Sequence, residues 1–181
     1  FWFVQEDDAT AIRNLDIGYS GHLVLPELPK AETAAFRQVG SGDGRHILEF
    51  TGEQAFGRSL TFSGEGAYTV LAPQMLVLDS GGVINVGGDA ILQLAGIDNA
   101  AAQAVSIHSA GNLELASYNP HSPCNICDDL IIDGTGNVTL NGIFVNGEAD
   151  INAAGNIFAG AVGFVAIAIL MAVFKVSSSL G

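Results

Sequence analysis

The residues with the most chemistry in reach of one another lie in the stretch HSPCNICDD, which holds His121, Cys124, Cys127, Asp128 and Asp129. A Cys-x-x-Cys with a His three residues ahead of it and carboxylates behind it could supply three or four ligands to Zn²⁺ or to an iron centre. No second Cys pair exists elsewhere, and no His follows Cys127 directly, as covalent haem attachment would require. The same spacing suits a disulfide between Cys124 and Cys127, or two reduced thiols, pinning a long loop around Pro120 and Pro123. The expectation is the Cys124–Cys127 disulfide, with no metal and no cofactor.

Other reactive types are scattered. His22, His46 and His108 sit among apolar or Gly-rich stretches, as surface or satisfied core histidines do. Asp7 with Asp8, or Glu49 with Glu53, could flank a glycosidic bond, which needs two carboxylates about 5 to 10 Å apart. With 19 acidic residues such pairs arise by chance, so a carbohydrate-active enzyme is a distant alternative. Ser59 and Ser109 lack a nucleophile-elbow pattern, and GSGDG at 40–44 lacks the Lys of a phosphate loop. Asn137-Val138-Thr139 is a glycosylation sequon, meaningful only in a secretory pathway that reads it. These residues predict no enzyme.

The elements that carry these residues are short strands. From His46 onward the chain reads ILEF, SLTF, YTVL, MLVL, VINV, ILQL and VSIH, short runs of largely alternating apolar side chains bounded by Gly, Asp, Ser or Asn. Period-two alternation puts one face on a core and the other in solvent. Within this region a unit recurs as GNLEL at Gly111, GNVTL at Gly136 and GNIFA at Gly155, with GDAIL at Gly88 as a looser copy. Their starts are 23, 25 and 19 residues apart, the length of one supersecondary unit. A Gly-Asn corner followed by a strand is what a stacked β-solenoid needs, and it predicts that Leu113, Val138 and Ile157 stack in one inward column. A β-sandwich or jelly roll would give much the same strand list.

At these residues, over about 87–160, the sequence resembles the rungs of filamentous-haemagglutinin-type adhesins and, more loosely, of bactofilins. The resemblance implies a right-handed β-helix with a structural or surface-assembly role, and it carries over no catalytic residues.

Ahead of this region the reading differs. FWFVQEDDATAIRNL is expected to be a short helix or an arm, with Ile12 and Leu15 spaced as on a helix face. LVLPELP from Leu23 must be extended because of its two prolines, and KAETAAFRQ from Lys30 to Gln38 favours a helical turn. Behind it, Ile157 to Phe174 is eighteen residues without a charge, a Pro or a polar side chain, and Lys175 follows. That length sits at the short end of a membrane-spanning helix. Ile157, Phe158, Phe164, Ile167, Ile169, Leu170 and Phe174 would face lipid, and Gly160 and Gly163 would let another helix pack closely.

The chain thus divides into an N-terminal arm and extended segment (1–45), a Gly-rich all-β body (46–154), a transmembrane helix (155–176) and a short tail (177–181). The 19 acidic residues against 6 Lys plus Arg give a net charge of -13, which repels phosphate backbones and argues against nucleic acid. Lys175 beyond the apolar run favours a body outside the cytoplasm, whether periplasmic, extracellular or on a virion surface. The chain begins at Phe1, and a cleaved signal peptide upstream would suit export. Two functions fit. One is a membrane-anchored, self-assembling surface, coat or fibre subunit, partnered by the lipid bilayer and by copies of itself. The other is an accessory scaffold subunit docked on other membrane subunits.

Overall fold

A computed structural model of the chain describes residues 12–40, 46–79, 81–99 and 104–164. Seventeen strands join in one sheet, and every pairing is parallel. The pairings fall into three ladders. The first runs through β2 (His22–Leu25), β4 (His46–Phe50), the start of β6 (Tyr68–Leu78), the start of β8 (Ala90–Asn99), β10 (Leu113–Ser117), β13 (Val138–Asn141) and β16 (Ile157–Ala159). The second takes the start of β5 (Gln54–Gly64), the ends of β6 and β8, then β11 (Cys124–Ile126), β14 (Ile143–Val145) and β17 (Val162–Phe164). The third takes β1 (Ile12–Tyr19), β3 (Ala31–Gln38), the rest of β5, β7 (Val83–Gly87), β9 (Val105–Ser109), β12 (Leu130–Gly134) and β15 (Ala149–Ala153).

A chain that visits three parallel ladders in turn is a β-solenoid, here of about six turns. A sandwich of antiparallel hairpins would pair sequence neighbours in the opposite sense, so that alternative is eliminated.

Alternation sends every second side chain inward, where identical positions stack from rung to rung. On the first ladder His46, Tyr68, Ala90, Leu113, Val138 and Ile157 form one column in register. Leu113 and Val138 are buried and Ile157 packs against the core from the open end, so the expected column stands with all three members. The next inward column is Leu23, Leu48, Val70, Leu92, Leu115 and Leu140. The first rungs hold a cluster of Phe36, Phe50, Phe56 and Phe62, with ring centroids 5.3 to 6.3 Å apart. Later rungs are filled by Ile, Leu and Val.

Three expectations are corrected. Residues 12–38, read as an arm and extended segment, carry β1, β2 and β3 and belong to the same stack. Lys30–Gln38 is no helical turn: Ala31, Ala34, Phe36 and Gln38 face inward from β3 beside the Phe cluster. Ile157–Phe164, expected to open a helix, forms β16 and β17, paired on β13 and β14. Backbone groups at the end of a growing stack find partners on the rung beneath, and this overrides an apolar composition. No helix occurs among the described residues, and none there is long and apolar enough to cross a membrane. The rest of the expected transmembrane helix, with Ile167, Ile169, Leu170 and Phe174, lies outside the described residues, as does the tail.

Candidate functional site

The solenoid has three corners per rung, and the candidate residues are spread over all three. The corner between third and first ladders is built by the Gly-Asn units. Gly88, Gly111, Gly136 and Gly155 stack on one another so closely that a Cβ on Gly111 would lie 2.4 Å from the carbonyl oxygen of Gly88, and one on Gly136 would lie 2.5 Å from that of Gly111. The residues that follow form a ladder of side chains. Asn112 donates from its backbone N (2.9 Å) and Nδ2 (3.0 Å) to Asp89 Oδ1, and Asn137 donates from the same two atoms to Asn112 Oδ1 at 3.0 Å each. Asn156 N donates to Asn137 Oδ1 at 2.8 Å. Each amide thus satisfies corner donors that no ladder strand reaches. The Asn137 amide of the sequon is engaged on both sides in the folded chain.

At the corner between the first and second ladders, the rung from Asn112 to Asn137 spans 25 residues and the next spans 19. The difference is a loop at 118–123. On the shorter rung Asn141-Gly142-Ile143 turns tightly with Gly142 at φ 68°. The loop closes on itself: Ser117 Oγ donates to Asn119 O at 2.7 Å and also bonds Ser122 O, and Ser122 N donates to Asn119 O at 3.0 Å. His121 is exposed on this loop, its backbone N donating to Asn119 Oδ1 at 2.9 Å.

The cluster that looked most reactive is drawn apart. Cys124 points inward from β11, in register with Ile143 and fully buried, while Cys127 lies just past the end of the strand and is partly exposed. Both thiols are free, so the expected disulfide is not formed. The reason is geometric: residues three apart in extended chain are separated by about 10 Å and point to opposite faces, whereas a disulfide needs Cα atoms about 4.4 to 6.8 Å apart. Burial pushes the Cys124 thiol up to about 12. Cys127 is raised too, by burial first, then by the charges of Asp98 and Asp128 and a hydrogen bond with Asp98. Burial, with Asp98 and Asp129 near, also raises Asp128. Asp129 is used structurally, accepting from Glu148 N at 2.7 Å. Among the described residues no three His, Cys, Asp or Glu side chains converge as metal ligands would.

The histidines have local partners. His22 Nε2 lies 2.8 Å from Glu49 Oε2, His108 Nδ1 lies 3.6 Å from Asp133 Oδ2, and buried His46 accepts from Gly21 N through Nδ1 at 3.2 Å. Asp7 and Asp8 fall outside the described residues, and Glu49 is held by His22. Ser59 accepts from Asn85 Nδ2 at 3.2 Å, and Ser109 donates to Gly111 O at 3.0 Å. The small residues of the apolar run serve the last rung: a Cβ on Gly163 would meet the Phe144 ring at 2.9 Å, and one on Gly160 would lie 3.2 Å from Asn141 Oδ1.

Sequence reasoning missed the buried polar residues that finish the turns. Gln54 Nε2 donates to Pro26 O at 3.0 Å while its Oε1 accepts from Leu28 N at 3.2 Å. Gln38 donates to Gly40 O at 2.6 Å and accepts from Gly66 N at 3.1 Å. Their signal was a long amide next to a Gly-rich or Pro-rich turn.

The remaining surface feature is the outward side of the first ladder. One column there is Ile47, Thr69, Ile91, Glu114, Thr139 and Phe158, and the other is Val24, Glu49, Leu71, Gln93, Ala116 and Asn141. Phe158 is 54% exposed and Ile91 36%; of the other exposed large apolar residues among those described, Val24 lies on this face, Tyr118 on the 118–123 loop, and Val39 just past the end of β3 on the third ladder. The 118–123 loop lines a groove beside this face together with Gln93, Glu114 and Gly142.

The class this geometry defines is the all-β parallel solenoid. Comparison with protein-family models, with curated proteins and with solved structures gives no match.

Proposed function

We propose that the chain is a membrane-anchored structural protein, a surface, coat or fibre subunit whose acidic solenoid stands outside the cytoplasm. The observation that carries this reading is the continuity between the last rung and the apolar run: β17 ends at Phe164, and the sequence goes on as VAIAILMAVF with no turn residue before Lys175. Among the described residues the solenoid interior is filled by side chains, and His22 and His108 are engaged with carboxylates on the neighbouring rung, which suits a scaffold.

Because 157–164 are strand, the anchor must begin later. As a helix, the ten apolar residues at 165–174 would reach about 15 Å, half of a hydrocarbon core of about 30 Å, so the anchor would lie in one leaflet and not span the bilayer. The test is flotation of the full chain with liposomes, against a chain ending at Phe164. The full chain should float and the shortened one should stay in the soluble fraction. A full chain that stays at the bottom of the gradient would overturn the anchoring.

A further inference from the structure

We propose that the groove beside the loop at 118–123 binds a neutral saccharide chain, laid along the outward face of the first ladder. This goes beyond the anchoring proposed above and does not depend on it.

The groove is built by an insertion. The chain leaves the first ladder at Ser117 and joins the second at Cys124, where the next rung needs only Gly142 to make the same passage. In stacked folds an insertion confined to one rung commonly carries the binding surface. Here the bonds among Ser117, Asn119 and Ser122, with the fixed φ of Pro120 and Pro123, hold the loop in shape, so its side of the groove is preorganised. The groove encloses about 700 Å³, within the range of roughly 300 to 1,000 Å³ of small-ligand sites.

Polar groups without partners line it, beside an aromatic ring. Elsewhere on the surface, outward amides bond from rung to rung: Asn137 to Asn112, Asn146 to Asn125, Asn152 to Asp133, Asn85 to Ser59. In the groove, Gln93 and Asn141 stand two rungs apart, about 10 Å, with the small, buried Ala116 between them in register. They are too far apart to satisfy one another. Among the described residues their amides, the side chains of Glu114 and His121 and the Tyr118 hydroxyl make no hydrogen bond. Amides and carboxylates bond hydroxyl groups as donors and acceptors, and the ring of Tyr118, 40% exposed, offers a face to the apolar side of a pyranose.

Other ligand classes fit worse. The backbone of the floor is paired in parallel ladders on both sides, so a peptide cannot add itself as a strand. An anion would meet Glu114 and no Lys or Arg among the described residues of the groove, in a chain of net charge -13. Gln93 and Glu114 also line a second hollow on the same face, which reaches His46 on a lower rung and Phe158 on β16. A ligand seated between Gln93 and Asn141 can therefore continue along the solenoid axis, which suits the interior of a chain better than a single terminal unit.

The test is binding of cellohexaose, maltohexaose, mannohexaose and N-acetylchitohexaose, each at millimolar concentration, to the full chain in a detergent without a sugar head group, read by saturation-transfer NMR and calorimetry. At least one of these neutral hexamers should bind, and hexagalacturonate should not. Tyr118→Ala, and Gln93→Ala combined with Asn141→Ala, should each weaken that binding about tenfold or more. Their thermal midpoints should stay where they were, since none of these side chains is bonded within the fold. Asn85→Ala on the third ladder should leave binding unchanged. Binding of no neutral hexamer, equal binding of hexagalacturonate, full affinity in either groove variant, or an equal loss in Asn85→Ala would overturn the saccharide site.

Discussion

Cys124 occupies the place that the next rung gives to Ile143, and it is buried as part of the core cluster. A thiol held at about 12 in the fold, against an ordinary value of 9.0, binds its proton more tightly folded than unfolded. The stability this contributes is fully present below the unfolded value and is lost as pH climbs from there through the folded value. Denaturant melts should therefore move to lower midpoints as pH rises from about 9 towards 12, and Cys124→Val should flatten that part of the slope. A slope unchanged by the substitution would assign the alkaline loss to other groups, Tyr19 and Tyr68 being raised by burial as well. Neither cysteine should react readily with a thiol reagent at pH 7, since the thiolate is the reactive form and both environments disfavour it.

Also at the residue scale, Val138 and Thr139 are neighbours with opposite fates. Val138 stacks inward between Leu113 and Ile157, while Thr139 lies outward between Glu114 and Phe158. Val138→Asp buries an unpaired carboxylate and should cost several kcal/mol, a large share of the roughly 5 to 15 kcal/mol of a domain. Thr139→Lys gains Glu114 as a neighbour and should shift the denaturation midpoint little. Comparable losses from both would mean that the rung register is displaced by one residue.

At the scale of the element, the corner is the unit that makes the solenoid. Its glycines and amides act together: the glycine brings successive backbones close, and the amide then reaches the donors that this approach leaves over. Gly136→Ala should be destabilising by more than a helix or strand propensity difference of about 1 kcal/mol, because its Cβ meets backbone and no flexible side chain. Asn112→Ala strips Asn137 of the acceptor for both its donors and should cost about 1 to 3 kcal/mol. Asn146→Ala, whose side chain makes one bond at 3.4 Å to Asn125, is the mild control. Ranking these three by thermal melting checks the account.

The same corners decided how much of the fold could be read in the sequence. The units at Gly111, Gly136 and Gly155 were legible because a corner that admits only Gly and favours Asn writes itself into the chain, and the column behind it followed. The first rungs carry no such signature. β3 is rich in Ala and Glu and reads as helix, yet Ala31 and Ala34 are buried on the inward side of the strand that also carries Phe36. β1 turns to clean alternation only after Leu15. The cysteine pair misled for a related reason: Cys-x-x-Cys is suggestive in a loop, but β11 turns Cys124 into the core while Cys127 lies past its end and partly exposed, and both thiols are free.

At the scale of the whole molecule, a solenoid turns sequence position into height, and so each end can be addressed by cutting the chain. No Lys or Arg occurs between Arg58 and Lys175, so the lower rungs mix both charges while the upper rungs are acidic throughout. Rungs contact only their neighbours, and stability is close to a sum of rung and interface terms. A chain ending at Phe164 keeps β16 and β17 and should melt as the full chain does, losing only association with membranes. A chain ending at Asn156 removes both strands, uncovers Val138, Leu140, Ile143 and Val145, and takes away the partners of β13 and β14. Uncovering four such side chains at about 1.5 to 3 kcal/mol each would be a loss comparable with the stability of the domain, softened by partial exposure and by fraying of the new end. The shorter chain should therefore show a lower midpoint, with early loss of protection in backbone amides of 138–145 by hydrogen exchange, while rungs below Asn99 keep theirs. If both truncations melt alike, β16 and β17 add nothing to the stack, and the apolar run beginning at Ile157 belongs to the anchor in its entirety.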